Sequence, residues 1–296
     1  MGVGEKMQKK ILKKIVIFVV LLLLFIQNNS YAMVIVLDPG HGGADSGAVN
    51  TAENIKEKDV NLTIAQYIKK YLEDYDAEVK LTHNGLTNQE LPIFDRAMIA
   101  RNANADLFVS LHINSSETTS AKGAEVYVTA NRSLDKYYKN TSELANLILE
   151  NLNKLGITKR GVFTRQLSGS DKTDVYSDGT IADYYGVIRY GMRGTRIDYG
   201  VVRPEGATSA IVENGEGVPT ILVEHCFIIG TDVQFVKTEE AIAKLAKADA
   251  DAIIAYYHLA KKTIPVESVT LNKQKVGLVI RKYGTTKSKC CASKCY

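Results

Sequence analysis

From Met33 onward, short apolar runs alternate with amphipathic stretches. "MVIVL" over residues 33–37 reads as a buried strand, whereas Val60, Ile64, Ile68 and Leu72 recur every four residues and mark one face of a helix. "AEVKLT" predicts a second strand, a helix follows near residues 92–102, and "DLFVSLH" and "GAEVYVT" predict two more strands. A helix around residues 142–155, a buried strand in "PTILVEH" and a long helix over residues 238–262 complete the order. In that last helix Asp249 is the exception on a face otherwise made by Ile242, Leu245, Ala246 and Ile253. Helix and strand taking turns predict an α/β layered sheet. Residues 156–219 break the pattern: they are rich in Gly, Asp, Arg and Tyr with weak periodicity, the mark of a functional or irregular insert. After Pro265 the composition turns to Lys, Ser, Thr and Cys, so the core domain is expected to end near residue 262.

The N-terminus follows a different rule. A basic stretch of 14 residues precedes an unbroken apolar run of 12 over residues 15–26, and "NNSYA" closes with Ser30-x-Ala32. This is the layout of a secretory signal cleaved near Ala32. The alternative is an uncleaved anchor, for which the run falls short of the ~20 residues that a spanning helix needs. No cysteine follows Ala32, so lipid attachment there is not expected. The expected organisation is a signal peptide over residues 1–32, a single catalytic domain over 33–262, and a basic, Cys-containing tail over 263–296.

Charge sharpens this division. The formal net charge of the 296-residue chain is +4, but residues 1–32 hold five lysines and one glutamate, so the remainder is neutral overall. A basic nucleic-acid binder is disfavoured. Nine basic residues and one acidic residue crowd positions 261–296, a bias that suits contact with an anionic surface or a simply solvated tail. Of the four cysteines, Cys290, Cys291 and Cys295 sit in that tail and Cys226 follows an apolar strand, which is no disulfide framework.

The candidate chemistry begins with "VIVLDPGHGG", residues 34–43, where a buried strand runs into a Pro-Gly turn and delivers His41 to the carboxyl edge of the sheet. Ligands of α/β proteins bind at that edge. Glu57 in "IKEKDVNLTIA" lies in the first turn of the next helix, and His112 closes the strand in "DLFVSLHINSS" with Phe108 and Ser110 on its side. Glu224 ends the apolar strand in "TILVEHCF". Two imidazoles and a carboxylate from three elements, with one position left for water, form a usual catalytic zinc set. A neighbouring carboxylate that does not bind the ion can move protons, and Glu224 suits that duty. Each position also has a plain structural reading: a hydrogen-bonded histidine at a strand end, a glutamate favouring the helix dipole, a paired carboxylate. On the residues alone, both a zinc hydrolase and a set of structural residues stand.

The successive blocks "VIVLDPGHGGADSGAV", "KEKDVNLTIA", "ADLFVSLHINSS", "GAEVYV" and "ILVEHCF" resemble, in order, those of the zinc-dependent N-acetylmuramoyl-L-alanine amidases of the Amidase_3 type. The resemblance covers roughly residues 33–257. It implies a twisted mixed β-sheet sandwiched between helices, Zn2+ bound by His41, Glu57 and His112, and Glu224 as the catalytic carboxylate. It also implies bacterial peptidoglycan as the partner and a secreted, cell wall associated autolysin with no stable membrane span after signal cleavage. "IADYYGVIRYG" looks like a segment that lies just ahead of the catalytic strand in some members. The chain departs from the family pattern at Cys226, where many members have glycine, at His83, where many have arginine, and over residues 192–217, which look longer than usual. Arg193, Arg196, Tyr199 and Arg203 in that span read as a substrate-side loop or an ordinary surface insertion. His83, His225 and His258 are weaker ligand candidates; His225 should point away from Glu224, and His258 should be a surface or packing residue. Cys226 reads as a small buried residue. The tail segment "VESVTLNKQKVGLVI" resembles the opening strands of an Ig-like module. Two rivals are a zinc carboxypeptidase-like wall peptidase, which needs a basic pocket for a terminal carboxylate, and a non-enzymatic wall-binding module.

Overall fold

The computed structural model describes residues 11–18, 32–132, 135–169, 176, 180–192 and 217–262, with residues 135–140 by backbone alone. Most of the apolar run over 15–26, the insert residues 193–216 and the tail 263–296 lie outside the described residues. No helix among the described residues is long and apolar enough to cross a membrane.

Among the described residues, eight strands form two sheets. In chain order they are β1 Met33–Pro39, β2 Val49–Asn50, β3 Ile55–Lys56, β4 Ala77–Leu81, β5 Leu107–Asn114, β6 Ala124–Tyr127, β7 Lys159–Phe163 and β8 Thr220–Phe227. The main sheet has six strands in the order β4-β1-β5-β8-β6-β7, while β2 and β3 form a small hairpin. All neighbours in the main sheet are parallel except β6 and β8, so the sheet is mixed, as the resemblance implied. The helices that flank the main sheet among the described residues are α1 Glu57–Leu72, α2 Ile93–Asn102, α3 Asp135–Lys154, α4 Gly186–Met192 and α5 Glu239–Tyr257.

Strand alternation sorts the core into two layers. On one face Ile35, Leu37, Leu107, Val109 and Leu111 pack with the α1 stripe of Val60, Ile64, Ile68 and Leu72, and with α3 and α5. Val34, Val36, Phe108 and Leu222 point the other way, onto Ala97 and Ala100 of α2 and Val187, Ile188 and Met192 of α4. This second layer is the thinner one. The polar residues Asp38, Ser110, His112 and Glu224 share its face, further along the same strands.

Several boundaries differ from the expected ones. The closing helix stops at Tyr257 because His258 turns left-handed at φ 53° and caps it, while Thr238 Oγ1 accepts from Ala241 N (3.2 Å) at its start. His112 and Glu224 do not end their strands, since β5 runs on to Asn114 and β8 to Phe227. The helix expected from residue 142 begins at Asp135. The stretch expected to be irregular contains β7 and α4: β7 is an edge strand with three of five residues exposed, and α4 has only seven residues, too few for a visible period.

Candidate functional site

His41 sits in a turn with positive φ (64°), between Gly40 and Gly42, closed by the mutual backbone bonds of Gly42 and Asp45 (3.0 and 3.1 Å). Gly40 has to be glycine for a spatial reason: a Cβ there would lie 2.2 Å from the ring of His112. Gly47, at φ 61°, would likewise meet both Glu57 Oε2 and the His41 ring at 2.6 Å. The turn is anchored from below by Arg96, whose guanidinium donates to the carbonyls of Pro39 (2.8 Å) and His41 (2.6 Å) and to Asp38 Oδ1 (2.8 Å). His83 Nε2 lies 2.8 Å from the Pro39 carbonyl, beside the turn rather than in the cluster.

Glu57, the first residue of α1, is 4% exposed and points back to the sheet edge. Its Oε2 accepts from Ala48 N (2.8 Å) and lies 3.1 Å from His41 Nε2; its Oε1 accepts from Ile113 N (3.1 Å) and lies 3.0 Å from His112 Nδ1. One donor atom from each of His41, Glu57 and His112 falls within 4.8 Å of the others. Tetrahedral ligands at ~2.0–2.2 Å from a zinc ion stand about 3.3 Å apart, close to the two observed His–Glu separations. The donor set therefore fits a zinc ion.

The electrostatics agree with that fit. Burial pushes the Glu57 carboxyl up, but hydrogen bonding and charge from His112 and His41 outweigh it and hold the group well below the usual carboxylate range. For His41 burial acts downward, yet Glu57 and then Asp45 more than compensate, and its pKa rises to about 9. Asp45 Oδ2 lies 2.6 Å from His41 Nδ1, and its Oδ1 accepts from Gly47 N (2.9 Å). A carboxylate on the outer nitrogen fixes the ring and leaves Nε2 for the ion.

Glu224 reaches the same face by register. It pairs with His112 on β5 and with Glu125 on β6, and directly paired residues project to one side of a sheet. Its Oε2 is buried without a hydrogen-bond partner. Burial first, then the charges of Glu57 and Glu125, push its carboxyl well above the usual range, with His41 opposing. A cavity of about 170 Å³ opens here, and His41, His112, Glu224, Arg96 and Tyr185 are among its lining.

His225 projects to the opposite face, as strand alternation requires. Its Nε2 lies 2.7 Å from Asp249 Oδ2 and its Nδ1 2.9 Å from the His112 carbonyl, both histidine and aspartate being fully buried. The acid that interrupted the apolar face of α5 is thus the partner of this histidine, and the pair braces the strand that carries His112. Cys226 is a free, fully buried thiol and His258 an exposed helix cap.

Sequence reasoning missed five contributors. Asp45 was visible only as an acid four residues past His41; Arg96 and Asp38 gave no local sign of the buried pair they form; Glu125 and Tyr185 join the site through strand pairing and loop placement, which leave no local pattern.

A mixed α/β sheet with a His-Glu-His cluster and an orphaned carboxylate oxygen at its edge defines a candidate metal-dependent hydrolase. A family model described as N-acetylmuramoyl-L-alanine amidase matches residues 35–255. The chain is 30% identical over 233 residues to N-acetylmuramoyl-L-alanine amidase AmiA of Escherichia coli, covering 76% of each protein. It is 41% identical over 232 residues to the endolysin of Bacillus phage SPP1, covering 78% of this chain and 68% of that one. Among solved structures it is similar to Cwp6 from Clostridium difficile, with a TM-score of 0.58 and 26% identity over 76% of this chain and 29% of that one. The N-acetylmuramoyl-L-alanine amidase of Clostridium difficile 630 shares the fold at a TM-score of 0.56 and 22% identity, over 77% of this chain and 98% of that one. The chain belongs to the N-acetylmuramoyl-L-alanine amidase family and is a hydrolase.

Proposed function

We propose that the chain is a zinc-dependent peptidoglycan amidase that cuts the amide between the lactyl group of N-acetylmuramic acid and the L-alanine of the stem peptide. The observation that carries this reading is the convergence of His41 Nε2, Glu57 and His112 Nδ1 beside a carboxylate, Glu224, with one oxygen left unpartnered. His41, Glu57 and His112 would hold the ion, which when bound supplies Lewis acidity that acidifies water and polarises a carbonyl. Glu224 takes the proton of the attacking water and hands it to the leaving alanyl nitrogen, so that the amine departs neutral. Its raised proton affinity suits a group that must hold a proton between the two transfers. Asp45 keeps the His41 ring in the tautomer that presents Nε2. We further assign residues 1–32 to an export signal, residues 33–262 to the catalytic domain and residues 263–296 to a tail that touches anionic wall polymers, which makes the enzyme secreted and wall associated.

Glu224→Gln should retain zinc at wild-type stoichiometry and lose about 10²- to 10⁴-fold in turnover on purified sacculi. His112→Ala should lose the metal. Product masses separate this reading from a wall peptidase, because an amidase releases whole stem peptides from intact glycan. Unimpaired wall hydrolysis by Glu224→Gln, or products cut inside the stem, would refute it.

A further inference from the structure

The loop that leads from β4 to α2 carries an Asn-Gly pair, Asn84-Gly85, the only one among the described residues. Asparagine followed by glycine is chemically fragile, because no Cβ shields the glycine nitrogen from the carboxamide before it. A fold protects such a pair by burying it or by tying up its nitrogens in hydrogen bonds. Here both residues are exposed, and neither Gly85 N nor Asn84 Nδ2 has a partner among the described residues.

The local geometry favours reaction between them. Asn84 Oδ1 accepts from Leu86 N (3.1 Å), which folds the carboxamide back over the Gly85 peptide and polarises its carbonyl. Leu86 is itself 85% exposed, so water reaches the turn. Asn114 gives the contrast: its Nδ2 donates to Glu125 Oε1 (2.6 Å), and the Ser115 nitrogen that follows donates to Asn114 Oδ1 (2.8 Å).

The pair also sits between pinned points. Just before it, Thr82 Oγ1 donates to Asp38 Oδ1 (2.6 Å) and His83 Nε2 to the Pro39 carbonyl (2.8 Å), at the base of the turn that carries His41. Gly85 rests on α1, where a Cβ would lie 2.5 Å from Leu62 Cδ2. Any lengthening of the chain between His83 and Gly85 has to displace one of these contacts.

We propose that Asn84 is a site of spontaneous modification, converting through a succinimide to isoaspartate, and that the product loosens the turn that presents His41. In the first step Gly85 N bonds to Asn84 Cγ, the Cγ–Nδ2 bond breaks, and ammonia leaves with the proton shed by Gly85 N. Water then adds to the ring. Opening at the former main-chain carbonyl of Asn84 sends the chain through Cβ and Cγ, one carbon longer, and leaves a new carboxylate. The conversion itself is independent of the amidase reading, whereas its effect on zinc rests on His41 being a ligand.

Ageing the full chain at mildly alkaline pH, followed by peptide mapping with fragmentation that separates isoaspartate from aspartate, tests the site. Asn84 should convert while Asn114 does not, faster as pH rises because the attacking nitrogen must lose its proton, and Asn84→Gln should abolish the signal. Aged wild type should melt at a lower temperature without metal and bind zinc about 10-fold more weakly in a competition titration. Asn84→Gln aged alongside should match its own fresh sample in both. An Asn84 that stays intact in the folded chain, under conditions where the urea-unfolded chain converts, overturns the site. Conversion with unchanged melting and unchanged zinc affinity overturns its effect on the turn. Fresh protein that binds no zinc refutes the metal reading alone, because the mapped conversion and the fall in melting temperature still decide the proposal.

Discussion

Arg96→Met tests whether the turn that presents His41 is held by a buried ion pair. The wild-type side chain is 5% exposed and Asp38 is 1% exposed, with 2.8 Å between Nη1 and Oδ1. Arg96 also donates to the carbonyls of Leu91 (2.9 Å), Pro39 (2.8 Å) and His41 (2.6 Å), so one substitution opens four hydrogen bonds. Methionine keeps much of the apolar stem but leaves Asp38 with only the hydroxyls of Thr82 (2.6 Å) and Ser110 (2.7 Å) against its charge. Removing one partner of a buried pair costs about 3–5 kcal/mol, because the other charge stays desolvated. For a domain of this size each kcal/mol moves Tm by roughly 2–4 °C, which gives a fall of about 6–20 °C. Adding Asp38→Asn removes the stranded charge and keeps both hydroxyl contacts usable, so the double variant should recover roughly half of the loss. Urea unfolding followed by circular dichroism, with and without a chelator, measures both. A loss below about 1 kcal/mol for Arg96→Met, or a double variant no more stable than the single one, would refute the assignment of the anchor to this pair.

Other perturbations probe the site from different sides. Asp45→Ala frees the outer nitrogen of His41 and should weaken zinc binding about 10- to 100-fold in a competition titration, with little change in thermal stability of the metal-free protein relative to its effect on affinity. Asp249→Leu leaves His225 buried without its acid and should destabilise the domain by about 3–5 kcal/mol, although it lies behind the sheet from the cleft; an unaltered melting curve would contradict the bracing role. The metal-free protein should lose stability as pH rises from about 6.5 to about 9, because folding raises the His41 pKa across that interval and the stabilisation held by its protonated form disappears as the proton leaves. Zinc should abolish that slope, since the bound ring is neutral throughout, and melting temperatures between pH 6 and 9.5 with and without metal decide it.

The alternation of residues along the chain was enough for the strands and helices whose neighbours share their period. β1, β5 and β8 are runs of β-branched and leucyl residues buried on both faces, and α1 carries a four-residue repeat that no strand could use. His41 and His112 stood out because each is a polar, metal-competent side chain in or just after a run of buried apolar residues. Residue types at sheet and helix ends were enough to pool Glu57 with the two histidines and to set Glu224 beside them as a candidate, with the plain structural reading of each still standing. β7 and α4 were not, since an exposed edge strand and a seven-residue helix are held by what they pack against rather than by their own pattern.

What the sequence determined by itself is therefore local: which segments are extended, which are helical, and which side chains face which side. Tertiary structure decided the rest. Pairing β8 between β5 and β6 sets His112, Glu224 and Glu125 in one row. Packing against α5 turned the odd acid Asp249 into the partner of His225, and the burial of Asp38 required Arg96. The physical reason is that backbone period and turn chemistry act over a few residues, whereas donor separations of about 3 Å between groups 16 and 55 positions apart, and the pairing of His112 with Glu224, depend on strand order and register, which arise only when the whole core packs.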